Sequence, residues 1–118
     1  MDKSLTHINE SGEMNIVDIS KKVESTREAL AEGYIKLNKE ILDKIKNEKI
    51  KKGDIFAAAR FSAINGAKKT SDLIPLCHQL SLNKITIDFE ICESIKAIKI
   101  IAFCKSHSKT GVEMEALT

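Results

Sequence analysis

The sequence predicts an α+β fold, with an antiparallel sheet covered by helices on one face. Apolar and polar residues alternate with period two over residues 27–37 and again over residues 84–92, a pattern typical of half-buried strands. Between them, residues 55–69 place small and apolar side chains at helical spacing. The predicted elements run strand, strand, helix, helix, strand, strand, helix, which favours this architecture.

The first half of the chain is predicted to contain two strands and two helices. Residues 1–14 are polar and are expected to form a flexible segment, followed by a single domain over residues 15–118. A short strand is predicted at 15–19 and a longer one at 27–37. Asn38 and Asp54 are suited to capping the two helices, which are separated by a turn at 49–53.

The second half is predicted to be a hairpin followed by a helix. Strand 84–92 pairs with a strand at 95–104 through Glu93-Ser94. Both faces of strand 95–104 carry apolar residues, which suggests that one of them meets another subunit. Thr110 and Glu113 have the spacing of a capping box and are predicted to open the last helix.

Composition excludes several classes of protein. The 118 residues suffice for one domain, and 42% hydrophobic residues support a core. A net charge of +2, with no Trp and one Tyr, gives little reason to expect nucleic-acid binding. The apolar runs are too short to span a bilayer, and three cysteines in apolar surroundings favour a reducing compartment. We therefore expect a cytoplasmic protein with no membrane or nucleic-acid partner.

The segment around Pro75 is the first candidate site. Pro75 is the only proline, and Cys77 and His78 follow it on a predicted connector between helix and strand. The pair could line a pocket, with His78 as hydrogen-bond donor or acid–base group. It could equally be a buried thiol beside a histidine that holds loop carbonyls. A zinc site drawn from Cys77, His78, Cys104 and His107 lacks the usual paired spacing, so no metal is predicted.

Lysines and glutamates near predicted helix ends form the second set of candidates. Lys52 precedes one end of the second helix, where anions are favoured, and Lys68 lies near the other, so the two could frame a polyphosphate. Each could equally be an ordinary solvated charge. Glu113 and Glu115 lie in the first turn of the last helix, where the helix dipole alone is a sufficient reason for them.

Several segments together resemble the MoaC family of cyclic pyranopterin monophosphate synthases (molybdenum cofactor biosynthesis protein C). The resemblance spans essentially the whole chain. Its most specific motifs are Asp72-Leu73-Ile74-Pro75-Leu76-Cys77-His78 and the stretch from Lys109 to Thr118, which reads KTGVEMEALT. It also includes LTHI at 5–8, VDIS at 17–20, REA at 27–29, KGDIF at 52–56 and AKKT at 67–70.

The resemblance implies a ferredoxin-like fold and a lyase reaction in molybdenum cofactor biosynthesis. The substrate would be a GTP-derived cyclic nucleotide triphosphate, converted to cyclic pyranopterin monophosphate with release of pyrophosphate. The family assembles as a homo-oligomer, a hexamer built as a trimer of dimers, with sites at subunit interfaces. No cofactor is implied.

The resemblance also assigns roles to residues of this chain. Leu76, Cys77 and His78 match one substrate-contacting segment, and Met114 and Glu115 match a second, with Glu113 beside them. Lys52 and Lys68 match basic residues of the pocket. The catalytic residues expected here are Lys52 and His78.

The sequence departs from the family pattern in two places. Gln79 stands where a proline commonly follows the histidine, and the final helix is expected to be cut short at Thr118. No position matches the aspartate regarded as the family's catalytic acid–base. The alternative hypothesis is therefore a catalytically incomplete subunit of the same family that binds substrate or has a structural role.

Overall fold

The computed structural model describes residues 6–47 and 54–118. Within these ranges the strands are β1 (Ser25–Lys36), β2 (Lys84–Cys92) and β3 (Ala97–Ser108), and they form one antiparallel sheet in the order β1-β3-β2. The helices are α1 (Lys39–Lys46), α2 (Ile55–Lys68), α3 (Thr70–Leu73) and α4 (Glu113–Leu117). The predicted α+β fold with an antiparallel sheet covered by helices is confirmed.

The register of the sheet separates a helix-covered face from an open face. Directly opposed residues of antiparallel strands point to the same side. The covered face carries Ala29, Ala31, Ile85, Ile87, Phe89, Ile98, Ile100, Ala102 and Cys104. The open face carries Leu30, Tyr34, Thr86, Ile101 and Phe103 among charged side chains. Leu30 and Tyr34 on the open face are 71% and 50% exposed, so within the described ranges little covers them.

The core on the covered face consists of two clusters. Near the hairpin end of the sheet, Leu42 and Ile45 of α1 pack on Ile98. At the other end, Ala67 of α2 and Val112 meet two further buried residues, Cys104 and Ala116. The second cluster joins α2, α4 and the central strand, so it fixes the loop that precedes α4.

Side-chain hydrogen bonds fix the beginnings of the two long helices. Asn38 Oδ1 accepts from the Ile41 amide at 2.8 Å, and Asp54 Oδ1 accepts from the Phe56 amide at 2.9 Å. Both caps were predicted from sequence. Arg60 then ties α2 to the sheet, because its Nε donates to the Ile87 carbonyl at 2.9 Å.

The predicted strand at 15–19 is wrong. Asp18 accepts a hydrogen bond from the Ser20 amide at 2.9 Å, and the Lys22 amide donates to the Ile19 carbonyl at 3.0 Å. These local bonds turn the chain before it reaches the sheet, a known competition between Asp side chains and extended structure.

Two details near the hairpin and α4 also differ from prediction. The chain passes from β2 to β3 through a 3₁₀ turn over Glu93–Ile95 and a left-handed Lys96 with φ 51°, so β3 begins at Ala97 instead of residue 95. Thr110 does not cap α4, because the helix begins at Glu113 after Val112 and has no side-chain cap. The predicted capping box is therefore wrong.

Candidate functional site

The connector after Pro75 leaves the helical layer as predicted. Ile74 is extended with ψ 104°, and the Cys77 amide closes a turn on the Ile74 carbonyl at 3.1 Å. The far end of the connector is tied to β3, where Ser106 Oγ donates to the Ser81 carbonyl at 2.6 Å. Cys77 and His78 are thus presented by a segment fixed at both ends.

A cavity of about 350 Å³, called here the His78 cavity, opens beside this connector. Three segments form its walls. They are the N-terminal segment (Thr6, His7, Val17, Ile19, Lys22), the connector (Leu76, Cys77, His78, Leu80) and the loop leading into α4 (Thr110, Gly111, Glu113, Met114, Glu115). The structure therefore brings together the two segments that the sequence marked as candidates, residues 76–78 and 113–115.

His78 holds a loop carbonyl, which is one of the alternatives that the sequence left open. Its Nε2 lies 2.5 Å from the Val17 carbonyl oxygen, and a carbonyl only accepts, so Nε2 carries the proton and donates. In the neutral ring, Nδ1 is then the acceptor nitrogen. The side chain both holds a loop carbonyl and lines the cavity.

Cys77 is a half-buried thiol in the cavity wall. Loss of hydration raises its pKa, and the nearby Glu115 carboxylate raises it further. A raised pKa keeps the sulfur protonated at neutral pH, whereas nucleophilic cysteines have lowered values. The side chain can contribute packing and shape, and its environment does not favour a nucleophile.

Glu115 is the most deeply buried carboxyl group of the cavity, at 6% exposure. Burial raises its pKa, and the charge of Glu113 adds to this rise, while a backbone hydrogen bond opposes it. Glu115 also lines a second cavity of about 270 Å³ between α2 and the sheet. A carboxyl group whose pKa is raised by burial keeps its proton to higher pH than an exposed one, which suits it to proton transfer.

Gly111 leaves space for the carboxylate of Glu113. A side chain at this position would overlap the Glu113 carboxylate, which folds back over the Gly111 backbone. The absence of a Cβ therefore allows Glu113 to lie along the wall of the cavity. Glu113 and Glu115 both line this wall.

The predicted basic residues do not all reach this site. Lys68 is the exposed last residue of α2, and it is absent from the walls of the His78 cavity. Lys52 and the turn predicted at 49–53 lie outside the described residues. The structure instead places Lys22 in the cavity wall. Sequence reasoning missed Lys22, although the Asp18-Ile19-Ser20 stretch before it has the composition of a side-chain-capped turn.

A third cavity, also of about 350 Å³, adjoins the His78 cavity across His78. His107 and Lys109 line it, and Lys109 Nζ donates to the Ser20 carbonyl at 3.3 Å. His107 Nε2 lies 3.9 Å from Glu24. Among the described residues, no three His, Cys, Asp or Glu side chains are grouped to hold a metal ion, and the three cysteines are unpaired.

The fold and the site define a class: an α+β domain with a cavity beside its sheet, lined by a histidine, two glutamates and a lysine. In comparisons with known proteins, the MoaC family model matches residues 16–118. The chain belongs to the MoaC family. Membership supports a role in molybdenum cofactor biosynthesis. In the ranges that the structure covers, no helix is long and apolar enough to cross a membrane.

Proposed function

We propose that this chain is a cyclic pyranopterin monophosphate synthase, a lyase that acts on (8S)-3',8-cyclo-7,8-dihydroguanosine 5'-triphosphate. The product is cyclic pyranopterin monophosphate, and pyrophosphate is released. The observation that carries the proposal is the His78 cavity itself, because it joins the connector at 76–78 to the residues at 113–115. In the resemblance to the family, both segments contact the substrate.

The cavity offers groups suited to this chemistry. A cyclic monophosphate forms from a triphosphate when a substrate hydroxyl displaces pyrophosphate at the α-phosphorus. The hydroxyl proton then needs an acceptor, and the leaving pyrophosphate needs positive charge nearby. His78 Nδ1 and the carboxyl groups of Glu113 and Glu115 are candidate proton carriers. Leu76, Cys77 and Met114 shape the wall that would contact the purine-derived ring.

Basic residues complete the proposal. Lys52, which the resemblance places in the pocket, would neutralise the triphosphate, and Lys68 is a second candidate for this role. Since Lys68 is absent from the walls of the His78 cavity, its contribution would require a site that includes another part of the assembly. We expect no resident cofactor and no metal ligand set.

We propose that the protein works as a cytoplasmic homo-oligomer, a hexamer built as a trimer of dimers. Three free cysteines suit a reducing compartment. The open face of the sheet suits a second copy of the chain, because Leu30 and Phe103 are directly opposed at its centre and Leu30 is 71% exposed. Apolar side chains grouped on an open sheet face in this way are typical of an interface.

A turnover measurement distinguishes an enzyme from a subunit that only binds. The chain is incubated with the GTP-derived triphosphate, and product and pyrophosphate are quantified by mass spectrometry and a coupled phosphate assay. Equal amounts of both products would support the synthase. Calorimetric binding without any product would favour the catalytically incomplete subunit, and the absence of binding would contradict both proposals.

A further inference from the structure

Two acidic side chains in the walls of the His78 cavity would oppose the binding of an anionic ligand. Glu113 and Glu115 both line it, and in their ionised form they repel a ligand that carries several phosphates. Such a ligand needs a cation on the facing wall. In the part of the chain that the structure describes, Lys22 is the one lysine that lines this cavity.

Lys22 is placed by a short turn, called here the Lys22 turn, which comprises residues 18–22. Asp18 Oδ1 accepts from the Ser20 amide at 2.9 Å, and the Lys22 amide donates to the Ile19 carbonyl at 3.0 Å. The hydrogen bond from Ser20 lowers the pKa of Asp18, so this carboxylate stays ionised and keeps its bond at neutral pH. The turn therefore has a defined shape although it lies outside the sheet and helices.

Two long-range hydrogen bonds hold the Lys22 turn against the cavity. The Ser20 carbonyl accepts from Lys109 Nζ at 3.3 Å. Just before the turn, the Val17 carbonyl accepts from His78 Nε2. The partners of these bonds lie in the loop before α4 and in the connector, which supply the other two walls. Lys22 is thus positioned by bonds to the two segments that form the other walls of the site.

The charge of Lys22 is available to a ligand. Within residues 6–47 and 54–118, its ammonium forms no ion pair with a carboxylate at 4.0 Å or less, whereas Lys44, Lys46 and Lys99 each do. A lysine ammonium is a compact charge with three donors on a flexible stem, which allows it to follow a phosphate chain.

We propose that Lys22 is a polyphosphate-binding residue of the His78 cavity and selects a triphosphate over a monophosphate. The ammonium contacts the terminal phosphates while the base portion of the ligand faces the connector. The inference rests on the proposed function, since it names a specificity residue of the same site. It adds the N-terminal segment to the binding machinery.

Calorimetry with inorganic tripolyphosphate tests this role without requiring turnover. The variant is Lys22→Ala, and the matched control is Lys21→Ala, which removes the same charge from the neighbouring exposed residue, one that is absent from the cavity walls. Hydrogen bonds to charged groups contribute roughly 1.5–3 kcal/mol, which corresponds to about 10- to 100-fold in affinity. We expect Lys22→Ala to weaken tripolyphosphate binding by about tenfold or more, and Lys21→Ala to leave it within about twofold of wild type.

The outcomes separate this inference from the proposed function. Equal losses in both variants, or no loss in Lys22→Ala, would overturn the role of Lys22. Wild-type binding of tripolyphosphate no tighter than that of orthophosphate would overturn it as well. Selective loss in Lys22→Ala together with no product from the nucleotide substrate would support the inference and count against the synthase activity. Product formation with an unchanged KM in Lys22→Ala would overturn the inference alone.

Discussion

Val112 fixes the loop that carries both glutamates of the His78 cavity. Its side chain is fully buried, at 0% exposure, and packs with Ala67, Cys104 and Ala116. Its carbonyl accepts the Ala116 amide at 3.1 Å and so closes the first turn of α4. The five-residue α4 is too short to be stable without tertiary support. Val112 is therefore expected to provide much of the docking of α4.

The substitution Val112→Ala removes two buried methyl groups. Each methylene-sized group contributes about 0.8 kcal/mol of transfer free energy, so the pair contributes about 1.6 kcal/mol. The void left among rigid neighbours adds to this, and the expected fall in the free energy of unfolding is about 2 to 3 kcal/mol. The matched control is Val23→Ala at a valine that is 84% exposed, where we expect little change.

Urea denaturation followed by far-ultraviolet circular dichroism measures both variants. Native-state hydrogen exchange at the Ala116 amide adds a local readout, because this amide belongs to the first turn of α4. We expect faster exchange there in Val112→Ala. A loss below about 0.5 kcal/mol, within the usual range of surface substitutions, would refute the reasoning that Val112 docks α4. A loss equal to that of Val23→Ala would refute it as well.

Three further predictions concern the cavity and the open face. Burial holds the pKa of Glu115 above its ordinary value of 4.5, so the free energy of unfolding should fall as pH rises from below 4.5 through the raised value. Urea titrations at a series of pH values should show that Glu115→Gln removes this fall. The control Glu90→Gln, at an exposed residue, should keep it. Gly111→Ala should displace the Glu113 carboxylate at little cost in stability, because the flexible Glu113 side chain can move away from the added Cβ. The melting temperature should stay near that of wild type while substrate affinity falls. A large loss of stability would contradict this reasoning. Phe103→Glu on the open face should shift sedimentation velocity toward smaller species, whereas an unchanged distribution would exclude this face as an interface.

Local pattern predicted much of the fold. The alternation over residues 27–37 and 84–92 located β1 and β2, and the polar residues Asn38 and Asp54 located two helix starts. Pro75 correctly marked the exit from the helical layer. These features depend on neighbouring residues, which is why a single sequence contains them.

The errors and omissions arise where distant residues or local side-chain bonds decide the structure. The stretch at 15–19 is predicted to be a strand, but Asp18 caps a turn there instead. Thr110 and Glu113 have capping-box spacing, yet the buried Val112 sets the start of α4. Lys22 enters the candidate site through bonds such as the one between Val17 and His78, which are 61 residues apart. No local pattern reports a contact of that kind.

The measurement that tests the central claim most directly is substrate turnover and affinity in His78 variants. His78→Gln can keep a side-chain donor for the Val17 carbonyl, while His78→Ala removes both the donor and the acid–base nitrogen. If the His78 cavity is the substrate site, both variants lose pyrophosphate release, and substrate affinity falls further in His78→Ala than in His78→Gln. Wild-type turnover and affinity in both variants would contradict the assignment of this cavity as the substrate site.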